Sequence, residues 1–142
     1  NHPEGIKGAQ ATALCIFLAR QGHTASDIRA RIERDFGYDL SMSVKELQRR
    51  YSWQGIDGKG DGGICQDSVP QAIICALQAK DFEDAIRNAI SIGGDSDTIG
   101  CIAGGIAEAL YGIPESIKER AWKYLDETEG RTVRSFIQKY SI

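Results

Sequence analysis

Residues 81–107 read DFEDAIRNAISIGGDSDTIGCIAGGIA, and this stretch predicts two helices joined by a tight glycine turn. Apolar residues recur with helical spacing between Phe82 and Ile90, and Asp81 before them is a residue type that caps helices. The pair Gly93 and Gly94 interrupts this pattern, because glycine readily adopts the backbone conformations of a sharp turn. A second apolar run follows, so this part of the chain is expected to be helix, turn, helix.

The rest of the sequence shows the same helical period. Ser43 and Glu46 have the spacing of a capping box, and Ser68 is expected to cap a helix that holds Pro70 in its first turn. A loop rich in glycine and aspartate separates these two segments. Further helices are expected over 6–20, 24–36, 81–92, 95–112, 114–125 and 132–140. About eight helical segments, with little period-2 alternation, predict an all-α fold in one domain over residues 1–142.

Composition excludes several function classes. The 142 residues are 42% hydrophobic and 26% charged, which is ordinary for a globular domain, and the net charge of −3 gives no general attraction to nucleic acid or anionic membrane. No apolar run approaches the roughly 20 residues of a membrane span. The four cysteines form no C-x-x-C pair, so we expect reduced core residues of a cytoplasmic protein: Cys15, Cys65, Cys75 and Cys101.

The segment after the glycine turn carries the clearest functional signal. Asp95, Asp97 and Thr98 offer side-chain oxygens within one short stretch, and hard cations such as Mg²⁺ prefer oxygen ligands. One acidic residue there would be explained as a helix cap, but two aspartates and a threonine exceed what a cap needs. We therefore predict a cation site. The glycines inside the following helix further predict that another backbone approaches it closely: Gly100, Gly104 and Gly105.

Three other motif interpretations fail on context. The sequence of residues 95–98 matches the D-x-D-x-[TV] signature of phosphatases with an aspartate nucleophile, but that signature requires a preceding strand, and residues 81–92 have a helical stripe. Residues 58–63 match G-x-G-x-x-G without the strand of a dinucleotide-binding unit. Residues 57–68 lack the ligand pattern of an EF-hand calcium loop. We interpret the glycine-rich segment as a surface loop that borders a cleft.

Three stretches together resemble the ADP-ribosylglycohydrolase family, which includes the dinitrogenase-reductase-activating glycohydrolases. They are NHPEGIKGA at residues 1–9, SVP at residues 68–70, and above all residues 81–98. The resemblance implies an orthogonal helical bundle with a binuclear Mg²⁺ centre, or Mn²⁺ in its place. It also implies hydrolysis of the glycosidic bond between ADP-ribose and an acceptor, which is a protein side chain or a small molecule.

The same resemblance assigns roles to individual residues. Asp95, Asp97 and Thr98 match the metal ligands of the family, and His2 matches a histidine that lies close to the bound ligand. The residues that flank the first aspartate are predicted to bind substrate together with His2: Gly94 and Ser96.

The sequence also departs from the family pattern. A complete member is about twice as long, and its N-terminal half carries a proposed catalytic acid and a Thr-Asp-Asp motif that supplies further metal ligands. No Thr-Asp-Asp occurs in this sequence. We therefore expect the C-terminal half of a glycohydrolase, whose catalytic residue lies elsewhere and which is inactive alone. The expected partner is an N-terminal half or a second copy of this chain. The alternatives are a non-catalytic domain that binds ADP-ribose or a nucleotide, and a purely structural helical domain.

Overall fold

The computed structural model describes residues 2–140, and all regular elements in that range are helical. Eight α-helices and one short 3₁₀ turn follow one another within these residues, and the all-α prediction is confirmed. The elements are α1 (Pro3–Arg20), α2 (Ala25–Phe36), α3 (Val44–Arg50), the 3₁₀ turn (Ile56–Gly58), α4 (Cys65–Leu77), α5 (Phe82–Ser91), α6 (Ser96–Tyr111), α7 (Glu115–Trp122) and α8 (Glu127–Tyr140).

The chain forms two compact units that divide between Gly112 and Ile113. The first unit contains α1 to α6 and the main hydrophobic core. The second contains α7 and α8, where the Arg134 guanidinium lies 5.4 Å from the centre of the Trp122 ring. The assignment of residues 1–142 to one domain stays a prediction.

Helix α4 is the centre of the first unit. Every residue from position 68 to position 76 is buried, and α4 contacts all five other helices of that unit. A helix that is apolar on all sides has to be surrounded by other elements, because its hydrophobic surface gains free energy only when it leaves water. Ser68 and Gln71 are polar residues within this buried stretch, and the Ser68 hydroxyl donates a hydrogen bond to the Ile64 carbonyl at 3.0 Å.

The predicted start of this helix was wrong. Helix α4 begins at Cys65, so Ser68 is not its N-cap and Pro70 lies inside the helix, beyond its first turn. The first turn of α4 forms before Ser68, because the Ile64 carbonyl accepts hydrogen bonds from the backbone N–H groups of Asp67 and Ser68. Pro70 has no N–H to donate, so the helix lacks one of its internal hydrogen bonds at this position.

The other predicted helix ends are confirmed where side chains form caps. The Ser43 hydroxyl accepts from the Glu46 N–H at 3.2 Å, while the Glu46 carboxylate accepts from the Ser43 N–H at 2.8 Å. Asp81 caps α5 by accepting from the Asp84 N–H at 2.8 Å. Each bond satisfies a donor that the first turn of a helix leaves without an intrahelical partner.

Among the described residues, no backbone lies close to the glycines of α6, so the close backbone neighbour expected there stays a prediction. A Cβ atom at Gly104 would lie 3.1 Å from the Ile86 side chain, and one at Gly105 would lie 3.7 Å from the Ile16 side chain. A Cβ atom at Gly100 would meet nothing within 4 Å. Gly104 and Gly105 therefore face branched side chains of α5 and α1, whereas Gly100 faces open space.

The cysteine prediction holds in part. Cys15 and Cys75 are buried in the core, and burial raises the pKa of each thiol to about 12. Cys65 is half-buried, but Cys101 is exposed and does not belong to the core, because it faces outward from α6. The cytoplasmic location stays a prediction. Among the described helices, none has the length and apolar character needed to cross a membrane.

Removal of the capping hydroxyl in Ser43→Ala is expected to lower the free energy of unfolding by about 1 kcal/mol, because the Glu46 N–H loses its acceptor. Urea denaturation followed by circular dichroism measures this change. Ser41→Ala is the matched control, since Ser41 is exposed and lies before the cap. Equal loss of stability in the two variants would show that the capping box contributes nothing.

Candidate metal and ligand site

The candidate site lies where α6 begins. Gly93 and Gly94 adopt φ angles of 76° and 67°, a left-handed conformation that reverses the chain between α5 and α6. Asp95 occupies the N-cap position of α6, but its side chain makes no capping hydrogen bond to the helix. The Asp95 carboxylate, which is half-buried, is therefore not used as a cap and stays available to a ligand.

Asp95 and Asp97 are brought together by this turn. The Asp97 carboxylate accepts a hydrogen bond from the Thr98 N–H at 2.9 Å. A hydrogen bond from the Asp95 carboxyl group and the bond from Thr98 hold the pKa of Asp97 below its usual range. Asp97 and Thr98 are exposed to solvent.

The donor set is small for a divalent metal. Mg²⁺ takes about six oxygen ligands in near-octahedral geometry. Within residues 2–140, histidine, cysteine and acidic side chains form no group of three or more that could hold a metal ion. Asp95, Asp97 and Thr98 are therefore suited by their chemistry to supply part of an oxygen ligand set, with the remaining ligands supplied by water or by another polypeptide segment.

Tyr51, the residue that directly follows α3, contacts this turn. A Cβ atom added to Gly94 would lie 2.6 Å from a ring carbon of Tyr51, so the ring packs directly against the glycine backbone. The Tyr51 hydroxyl donates to the Gly62 carbonyl at 3.0 Å. The side chain thereby connects the turn before Asp95 to the glycine-rich loop, a contact between distant parts of the chain that no local motif encodes.

The glycine-rich loop is held by two further side chains. The Asp67 carboxylate accepts from the Asp61 N–H at 2.8 Å, and a side chain at Gly60 would collide with that carboxylate. The Arg50 guanidinium pairs with Asp57 at 2.7 Å. The loop is therefore fixed at several points along its length, and Trp53 is 57% exposed on it.

The predicted substrate-binding residues have structural partners of their own. His2 is the N-cap of α1, where its Nδ1 atom accepts from the Glu4 N–H at 3.3 Å. Among the described residues, no hydrogen bond joins His2 to the turn at Asp95. The Ser96 N–H donates to the Gly94 carbonyl at 2.9 Å, which tightens the turn. The substrate-binding roles of His2, Gly94 and Ser96 stay predictions.

Together, these observations define an all-α protein with a candidate oxygen-donor site, Asp95, Asp97 and Thr98, at the start of one helix. A family model described as ADP-ribosylglycohydrolase matches residues 1–141. The chain belongs to the ADP-ribosylglycohydrolase family. No solved structure matches it significantly.

Curated relatives agree with this assignment. The human protein named ADP-ribosylhydrolase ARH3 is 38% identical, over 88% of this chain and 45% of its own length. The ADP-ribosylarginine hydrolase Tri1 of Pseudomonas putida is 28% identical, over 80% of this chain and 32% of its own length. An uncharacterized protein of Archaeoglobus fulgidus is 38% identical, over 86% of this chain and 43% of its own length. The chain thus spans less than half the length of these relatives.

Alkaline pH is expected to destabilise the contact between Tyr51 and the loop. Burial, with the nearby charges of Asp67, Asp95 and Asp61, raises the pKa of Tyr51 to about 12. The unfolded side chain has a pKa of about 10, which is lower than the pKa in the folded state, so folding makes Tyr51 hold its hydroxyl proton more tightly. The resulting stability is complete below about pH 10 and is lost as the pH rises toward about 12.

Urea denaturation across this pH range tests the expectation. As the pH rises from about 10 to about 12, the free energy of unfolding of the wild-type chain is expected to fall by up to about 2 kcal/mol more than that of Tyr51→Phe. The phenylalanine ring keeps the packing but carries no ionisable group. Parallel pH curves for the two proteins would contradict the assignment of a raised pKa to Tyr51.

Proposed function

We propose that this chain is part of an enzyme that hydrolyses the glycosidic bond between ADP-ribose and an acceptor on a protein or a small molecule. The observation that carries the proposal is the start of α6, where a chain of this family presents Asp95, Asp97 and Thr98 together. Support comes from relatives that are named as an ADP-ribosylhydrolase and as an ADP-ribosylarginine hydrolase.

In this proposal, Asp95, Asp97 and Thr98 would hold Mg²⁺, or Mn²⁺ in its place, as part of a binuclear centre. A metal ion bound there would polarise ligand oxygens and position the substrate. The first turn of a helix carries partial positive charge, which opposes cation binding. The negative charges of Asp95 and Asp97 more than offset this partial positive charge, so the N-terminal start of α6 attracts a cation.

We further propose that the chain alone has no hydrolase activity. Three side chains supply only part of what two Mg²⁺ ions require, and two neighbouring carboxylates without a cation repel each other. Completion of the centre therefore needs ligands from an N-terminal half or from a second copy of the chain. Large apolar side chains left at the surface of the first unit are consistent with such a partner, since Phe17 and Ile90 are each 58% exposed.

Binding of Mn²⁺ by the purified chain tests the role of the carboxylates. Electron paramagnetic resonance of free Mn²⁺ should show weak binding, and Asp95→Asn and Asp97→Asn should each reduce affinity by about tenfold or more. Asp81→Asn is the matched control, because it removes the same charge from the N-cap of α5 and asparagine caps helices equally well. An equal effect of all three substitutions would indicate general electrostatic attraction and contradict a specific site.

Complementation tests the role in hydrolysis. The chain alone is expected to release no ADP-ribose from ADP-ribosylarginine, whereas a mixture with an N-terminal half from the family is expected to show Mg²⁺-dependent release. The same mixture with Asp97→Asn is the control and should lose that activity. Robust hydrolysis by the chain alone would contradict the incomplete centre. Binding of ADP-ribose without hydrolysis in the mixture would favour the non-catalytic alternative.

A further inference from the structure

We propose that Tyr51 is a positioning residue for the candidate cation site, and that it couples the Asp95 turn to the loop formed by residues 52–64. The inference rests on the proposed cation site, and it adds that the geometry of this site is set from the loop. Three sets of contacts carry it: those of the Tyr51 ring, those of the Tyr51 hydroxyl, and those that fix the loop itself.

The Tyr51 ring fixes the backbone just before the first aspartate. Three ring or hydroxyl atoms of Tyr51 lie 2.6, 3.2 and 3.2 Å from the position that a Cβ atom would take on Gly94. Any shift of the ring toward the turn is therefore blocked by the glycine backbone. Because Gly94 directly precedes Asp95 and accepts the Ser96 N–H, a displacement of Gly94 is transmitted to the Asp95 carboxylate.

Tyr51 is itself held from two directions. Its backbone N–H donates to the Leu47 carbonyl at 2.8 Å, which ties it to the end of α3. Its hydroxyl donates to the Gly62 carbonyl at 3.0 Å, and the Gly62 N–H donates to the Trp53 carbonyl at 2.9 Å. The side chain is 6% exposed, so solvent does not compete for the hydroxyl. The ring position is thus determined by α3 and by the loop together.

The loop is held by Tyr51 together with two other side chains. Asp67, in the first turn of α4, holds the Asp61 N–H, and Arg50 holds Asp57, which has a left-handed φ angle of 53°. The Tyr51 side chain joins this loop to the Asp95 turn, because its hydroxyl bonds Gly62 while its ring packs on Gly94. A cation that draws the two aspartates together therefore acts on the loop through Gly94 and Tyr51, and a change in the loop acts on the cation site by the same route.

Two neighbouring glycines provide a matched test. Gly93→Ala and Gly94→Ala both place a side chain on a left-handed backbone, but only the Gly94 side chain meets the Tyr51 ring, since a Cβ atom at Gly93 meets nothing within 4 Å. We expect Gly94→Ala to weaken Mn²⁺ binding by about tenfold relative to Gly93→Ala, as substitutions just outside a metal's ligands do. Equal Mn²⁺ affinities in variants that both remain folded would overturn the proposal.

A second measurement needs no metal. Hydrogen exchange of the metal-free chain, read by mass spectrometry, is expected to accelerate in Tyr51→Phe over residues 52–64 and also over residues 93–98. Acceleration in the loop alone would show that the hydroxyl does not couple the two segments, and would overturn the inference. If the wild-type chain binds no Mn²⁺ while both segments still exchange faster, the proposed cation site fails but the coupling through Tyr51 stands.

Discussion

The structure depends on the burial of α4 on every side. Residues 68–76 present no face to solvent, so the other helices of the first unit have to pack around them. This arrangement determines where the candidate site forms. Helix α6 contacts α4, α1 and α5, and Asp67 in the first turn of α4 holds the loop that reaches Tyr51. The core and the candidate site therefore depend on the same helix, because α4 fills the core and its residue Asp67 also anchors the loop beside the carboxylates.

The start of α6, which is the candidate ligand site, differs from a common helix end. An N-cap aspartate normally uses its carboxylate to satisfy backbone N–H groups of the first turn. Here Asp95 occupies the cap position without such a bond, and its carboxyl group interacts with Asp97 instead. The local cost of this arrangement is an uncapped turn and two adjacent acidic groups. A bound cation would reduce the repulsion between the two carboxylates, while the backbone N–H groups of the first turn would still need an acceptor.

Local sequence patterns predicted the features that depend on near neighbours. The caps at Ser43 and Asp81 and the glycine turn before α6 follow from residues within a few positions of one another. The start of α4 was missed because the turn that precedes Cys65 forms in the loop, where no side chain acts as a cap. The exposure of Cys101 was missed because an apolar neighbourhood in sequence does not say which face of α6 is buried.

Local sequence patterns could not predict the contacts of Tyr51, because its ring meets Gly94 and its hydroxyl meets Gly62 only after the chain has folded. Asp95, Asp97 and Thr98, in contrast, were identified from their spacing and from the family pattern. Sequence therefore indicated which residues form the candidate site, while the structure was needed to show what holds them. Among the described residues, no group of three or more histidine, cysteine or acidic side chains could by itself hold a metal ion.

Anomalous scattering of Mn²⁺ in crystals of this chain combined with an N-terminal half from the family tests the proposed metal centre directly. We expect strong anomalous peaks that are coordinated by side-chain oxygens of Asp95, Asp97 and Thr98 together with ligands from the other half. Peaks coordinated only by the other half, with Asp95 and Asp97 directed away from the metal, would show that the start of α6 supplies no part of the metal centre.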